Sequence, residues 1–79
     1  MITIIDYDAG NLKSVEKALL RLGEETVISR DRETILSADH VILPGVGSFG
    51  DAMGKLQEYG LDTVIHGVVE KGTPFLGIC

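Results

Sequence analysis

Hydrophobic and polar positions follow two different periods along this chain. Ile2-Thr3-Ile4-Ile5-Asp6-Tyr7 is apolar nearly throughout and rich in β-branched residues, which predicts a short strand over Ile2 to Tyr7 covered on both faces. Asp8-Ala9-Gly10 stops it. Leu12, Val15, Leu19 and Leu22 then recur at steps of three and four, with Lys13, Glu16, Lys17 and Arg21 elsewhere, so an amphipathic helix is expected. Asn11 is its expected N-cap and Gly23 its left-handed stop. Glu25 to Ser29 reads as a second strand around Thr26-Val27-Ile28, and Asp31 to Ser37 as a short helix under Ile35 and Leu36.

His40-Val41-Ile42-Leu43 is a third strand ended by Pro44, which has no N–H to give to a ladder. After the turn Gly45-Val46-Gly47-Ser48-Phe49-Gly50, a helical face of Phe49, Met53 and Leu56 runs to Gly60. A second helical face of Leu61, Val64, Ile65, Val68 and Val69 runs to Gly72, weakened at Gly67 by about 1 kcal/mol relative to alanine. Pro74 to Cys79 reads as a fourth strand.

Strands alternating with helices imply right-handed βαβ crossovers, because parallel neighbours need a dozen or more residues between them. The expected fold class is therefore α/β: an open, mostly parallel sheet with helices on both faces. A helix should follow Cys79 to cover the last strand. Residues 1–79 are accordingly expected to be the N-terminal part of a single domain.

Composition narrows the function. The chain has 79 residues with 7 basic and 12 acidic side chains, hence a net charge of −5. Its Lys and Arg are scattered singly, which argues against a phosphate-backbone partner, so no nucleic acid is expected. No apolar run approaches the roughly 20 residues that span a bilayer, so no membrane is expected either. With 1 cysteine there is no internal disulfide, and no zinc-spaced Cys and His cluster exists. A reducing, cytoplasmic setting is expected, with no metal and no cofactor.

Three segments carry candidate chemistry. Gly45-Val46-Gly47-Ser48-Phe49-Gly50 matches G-x-G-x-x-G, yet Pro44 stiffens its approach and the next strand ends in Cys79 rather than an acidic ribose ligand. A plain turn using glycine's freedom is one reading, and a phosphate- or nucleotide-binding loop is another. In a third, the glycines flanking Val46 let one peptide turn its N–H toward or away from a site, as a switchable oxyanion hole requires. Cys79 is either a small packed hydrophobe or a thiolate nucleophile at a strand-to-helix elbow, where a helix N-terminus favours negative charge. Asp6 to Leu12 lies on the same rim of the sheet and is either a capped helix start or a contact surface. His40 begins a strand and His66 sits mid-helix, so neither suits a catalytic base.

Taken together, Pro44 to Met53 and Gly72 to Cys79 resemble the triad, or class I, glutamine amidotransferases. Asp6 to Val15 points to the branch formed by the glutaminase subunits of imidazole glycerol phosphate synthase. In the relative that serves pyridoxal phosphate synthesis, Gly-Gly-Glu-Ser would stand where this chain has Gly45-Val46-Gly47-Ser48.

The resemblance implies a flavodoxin-like sheet and a nucleophilic Cys79 that forms a thioester with the glutamine side chain. It assigns Gly45, Val46 and Gly47 to the oxyanion and glutamine-binding strand, and Asp8, Gly10 and Asn11 to the partner interface. The implied partner is a (β/α)8 cyclase barrel that consumes the ammonia in histidine biosynthesis. A His-x-Glu pair downstream of residue 79 would supply the base, so the 79 residues alone are expected to be inactive. The alternatives are a noncatalytic α/β phosphate- or nucleotide-binding module and the glutaminase subunit of another synthase.

Overall fold

The computed structural model describes residues 1–8, 12–45 and 49–78, without the side chains of Phe49 and Ile78. In chain order the elements are β1 (Ile2–Ile5), α1 (Leu12–Arg21), β2 (Thr26–Ser29), α2 (Arg32–Leu36), β3 (His40–Pro44), α3 (Phe49–Glu58), α4 (Leu61–Lys71) and β4 (Phe75–Ile78). The sheet runs β2-β1-β3-β4, and each neighbouring pair is parallel. The class read from the alternating pattern is the class observed.

Local chemistry sets several boundaries. The Asp31 carboxylate accepts the Thr34 N–H at 3.0 Å, so α2 begins one residue after its cap. Gly60 at φ 69 and Gly72 at φ 84 hold the left-handed positions that bracket α4. Pro44 is the last residue of β3 and is in register with Ile78. β1 is shorter than the apolar run because its ladder ends where Ile5 meets Ser29, after which the Asp6 N–H donates to the Ser29 carbonyl at 3.0 Å. The N-cap expected at Asn11 lies outside the described residues.

Right-handed crossovers from β1 out to β2, then back past β1 to β3 and β4, put α1 on one face and α2, α3 and α4 on the other. The core forms on the three-helix face. There Ile5, Tyr7 and Val41 pack with Ile35 and Ala38 and with Leu56, Leu61, Val64 and Val68 from α3 and α4. Gly67 belongs to this packing, since a Cβ there would meet Leu36 Cδ2 at 3.3 Å. Its cost in helix propensity is the condition for close approach of α2 to α4.

The other face is thinner. Helix α1 lies against β2 and contains no buried residue. Leu22, expected on its inner face, is 76% exposed because α1 ends at Arg21 and Leu22 enters the turn. Beyond α1, Leu76 is 56% exposed beside a groove of about 280 Å³ lined by Ile2, Leu19 and Ile42.

Thr3 is fully buried in the middle of β1, and its Oγ1 has no hydrogen-bond partner. An unpaired buried hydroxyl costs about 1–3 kcal/mol. Thr3→Val keeps the shape and is expected to stabilise the protein by about 1 kcal/mol, which raises the melting temperature by about 4–8 °C for a domain of this size. A thermal melt in which the valine variant unfolds at a lower temperature would contradict this.

Candidate active site

Parallel strands bring their carboxyl ends to one edge, and of the site residues singled out in the sequence Asp8 and Gly45 are described there. Asp6, Tyr7 and Asp8 leave β1, Arg30 leaves β2, Gly45 leaves β3, and β4 ends at Ile78. Pro44 and Ile78 are register partners on adjacent strands about 4.8 Å apart. In sequence, Gly45 and Cys79 are the residues that follow them. Gly45 is half-buried. Val46, Gly47, Cys79, Gly10 and Asn11 lie outside the described residues.

Asp8 sits at the centre of a polar node. Its φ is +68, a left-handed conformation that a side chain without local hydrogen bonds rarely adopts. The Asp8 N–H donates to Asp6 Oδ1 at 3.2 Å, an Asx turn that supports this backbone. Arg30 Nη2 reaches Asp8 Oδ1 at 2.9 Å and Asp6 Oδ2 at 3.2 Å, while the Tyr59 hydroxyl donates to Asp8 Oδ2. Lys55 Nζ approaches that same oxygen at 3.6 Å. The Arg30 guanidinium also lies 4.1 Å from the centre of the Tyr59 ring, within cation–π range.

These contacts set the ionisation of the node. The Tyr59 hydroxyl and then Arg30 hold the Asp8 carboxyl below its usual value, and the hydrogen bonds around Arg30 raise its guanidinium further. Both stay charged at neutral pH. Asp8 therefore gives up its contribution only as pH falls below the ordinary carboxylate range.

Behind the node, Tyr7 is 3% exposed and its hydroxyl donates to the Pro44 carbonyl. The end of β1 is thus tied to the residue that precedes Gly45. A cleft of about 480 Å³ opens between this tie and α3, lined by Tyr7, Asp8, Gly50, Asp51, Lys55 and Glu58. His40 starts β3 at the opposite edge of the sheet, and exposed His66 pairs with Glu70 at 3.2 Å along α4. Neither supplies a base at the carboxyl edge.

Among the described residues no group of three or more His, Cys, Asp and Glu side chains could hold a metal ion. Nor is any described helix long and apolar enough to cross a membrane. Sequence reasoning did not single out Arg30, Lys55 or Tyr59. The available signal was topological: Arg30 follows a strand whose carboxyl end neighbours that of β1.

An all-parallel four-stranded layer with Gly45 following the carboxyl end of β3 fits part of the class I glutamine amidotransferase fold. No family model matches the chain. Among curated proteins it is 56% identical over 78 residues to "Imidazole glycerol phosphate synthase subunit HisH" of Lactococcus lactis, an alignment covering 99% of this chain and 39% of that protein. The protein of the same name in Geobacillus kaustophilus is 60% identical over 79 residues, covering 100% of this chain and 37% of the relative. In Rhodopirellula baltica the identity is 51% over 79 residues, covering 100% and 38%. The chain belongs to the HisH subunit family and matches the N-terminal part of these relatives, spanning less than half their length.

Proposed function

We propose that the complete protein is the glutaminase subunit of an imidazole glycerol phosphate synthase. The observation that carries this reading is identity of 51–60% with HisH subunits over essentially the whole chain. The parallel register of Pro44 with Ile78 supports it, because the residues that follow them in sequence, Gly45 and Cys79, are those the chemistry needs side by side.

In this reading the Cys79 thiolate attacks the side-chain carbonyl carbon of glutamine. The developing oxyanion is met by backbone N–H groups, among them that of Val46 once the peptide between Gly45 and Val46 has turned inward. One such donor contributes about 3–4 kcal/mol of barrier lowering. The C–N bond breaks, a proton delivered to the nitrogen releases ammonia, and a thioester remains. Water hydrolyses the thioester to glutamate and restores the thiol. Splitting one difficult displacement into two is what covalent catalysis provides.

The base that shuttles these protons lies beyond residue 79, in a His-x-Glu pair, so the 79 residues alone carry no glutaminase activity. The ammonia passes to a (β/α)8 cyclase subunit in the cytoplasm, and Asp8, Gly10 and Asn11 belong to the surface that meets it. The glycine turn is the element through which an occupied cyclase stimulates hydrolysis.

Labelling of Cys79 with iodoacetamide tests this reading in the complete protein. Fast labelling near neutral pH that glutamine analogues block is the expected result, because only an activated thiolate reacts at that rate. Slow labelling indifferent to glutamine would instead favour a noncatalytic binding module.

A further inference from the structure

The buried hydroxyl of Tyr7 donates to a backbone atom, the carbonyl oxygen of Pro44. That carbonyl belongs to the peptide joining Pro44 to Gly45, immediately before the glycine turn assigned above to the oxyanion. We propose that Tyr7 is a positioning residue for that turn: by fixing the Pro44 carbonyl it fixes the plane of the Pro44–Gly45 peptide, and rotation is confined to the peptides after Gly45. The inference rests on the glutaminase reading and adds a residue to it.

Three features of the structure support this role. Tyr7 is itself held from both sides, by the Asp6 N–H on the Ser29 carbonyl at 3.0 Å and by the contacts of Arg30, Tyr59 and Lys55 with Asp8. Its ring packs in the core with Leu56 and Leu61, so the phenol has little freedom to follow a moving carbonyl. Pro44 is buried and in register with Ile78, so the segment upstream of Gly45 is already part of the sheet.

A hinge works only if one side of it stays still. Without the hydroxyl, the carbonyl of Pro44 loses a buried donor, and the glycine turn gains a second soft peptide in addition to the one that must move. The donor N–H then spends less time at the position where charge develops. That lowers turnover more than it weakens glutamine binding, because oxyanion stabilisation is felt in the transition state.

The test is Tyr7→Phe in the complete glutaminase assembled with its cyclase, compared with wild type by steady-state kinetics and thermal melting. The expected result is a kcat lower by about tenfold with KM for glutamine changed by less than about twofold, a smaller loss than the roughly 100- to 1,000-fold of deleting an oxyanion donor outright. Incorporation of 3-fluorotyrosine at position 7, which keeps ring and hydroxyl, is expected to restore kcat. An active wild type with kcat unchanged in Tyr7→Phe would overturn the positioning role, including the case in which only the melting temperature falls. A wild-type assembly without glutaminase activity would overturn the functional reading and this inference together.

Discussion

Cys79→Ala in the complete protein is expected to lower glutamate formation from glutamine by on the order of 10³-fold or more, since losing the nucleophile of a covalent hydrolase costs up to about 10⁶-fold. Glutamine binding is expected to survive, because the sulfur of a covalent catalyst acts in the bond-forming step. Isothermal titration of the alanine variant beside a coupled glutamate assay separates the two quantities. Glutamate release at a wild-type rate from the variant would exclude the thioester, and with it the role assigned to Gly45, Val46 and Gly47.

The largest expected stability loss lies under the other end of the same core. Leu61, 1% exposed, is the first residue of α4 and follows Gly60, whose left-handed conformation aims the helix at the sheet. Leu61→Ala removes a packed side chain where three helices and the sheet meet, a change that costs about 2–5 kcal/mol. Domains are stable by about 0.05–0.15 kcal/mol per residue, or roughly 4–12 kcal/mol for 79 residues, so this loss is a large fraction of the total. Leu22→Ala, at a position 76% exposed, is expected to stay within about 0.5 kcal/mol. Urea unfolding of the two variants checks the contrast, and equal midpoints would contradict the layer assignment.

How far the amino-acid pattern reaches is visible in particular elements. The alternation of β-branched runs with amphipathic segments identifies four strands and their parallel class, because period and crossover length are local properties. Strand ends are not local. β1 stops at Ile5 although the apolar run continues to Tyr7, since its ladder depends on where β2 ends. Leu22 fits the helical period but falls beyond the last turn of α1, and periodicity carries no information on which half of a sheet a helix covers.

The rim shows the same limit. Asp8 and Gly45 were recognisable from turn chemistry and from resemblance. The partners that fix the rim are separated from it by long stretches of chain: Tyr59 is 51 residues from Asp8, and Pro44 is 37 from Tyr7. No spacing rule joins such pairs. They follow only from the strand order, which sets β1 between β2 and β3.

The unequal covering of the two sheet faces also grades the molecule by how readily its parts come undone. A helix that seats no side chain fully is drawn from the low end of the local opening scale, so backbone amides of α1 should trade hydrogen for deuterium well before those of β1 and β3. Motion at that face need not disturb the end of β3, where the Pro44 carbonyl is held by Tyr7 from the opposite, three-helix face.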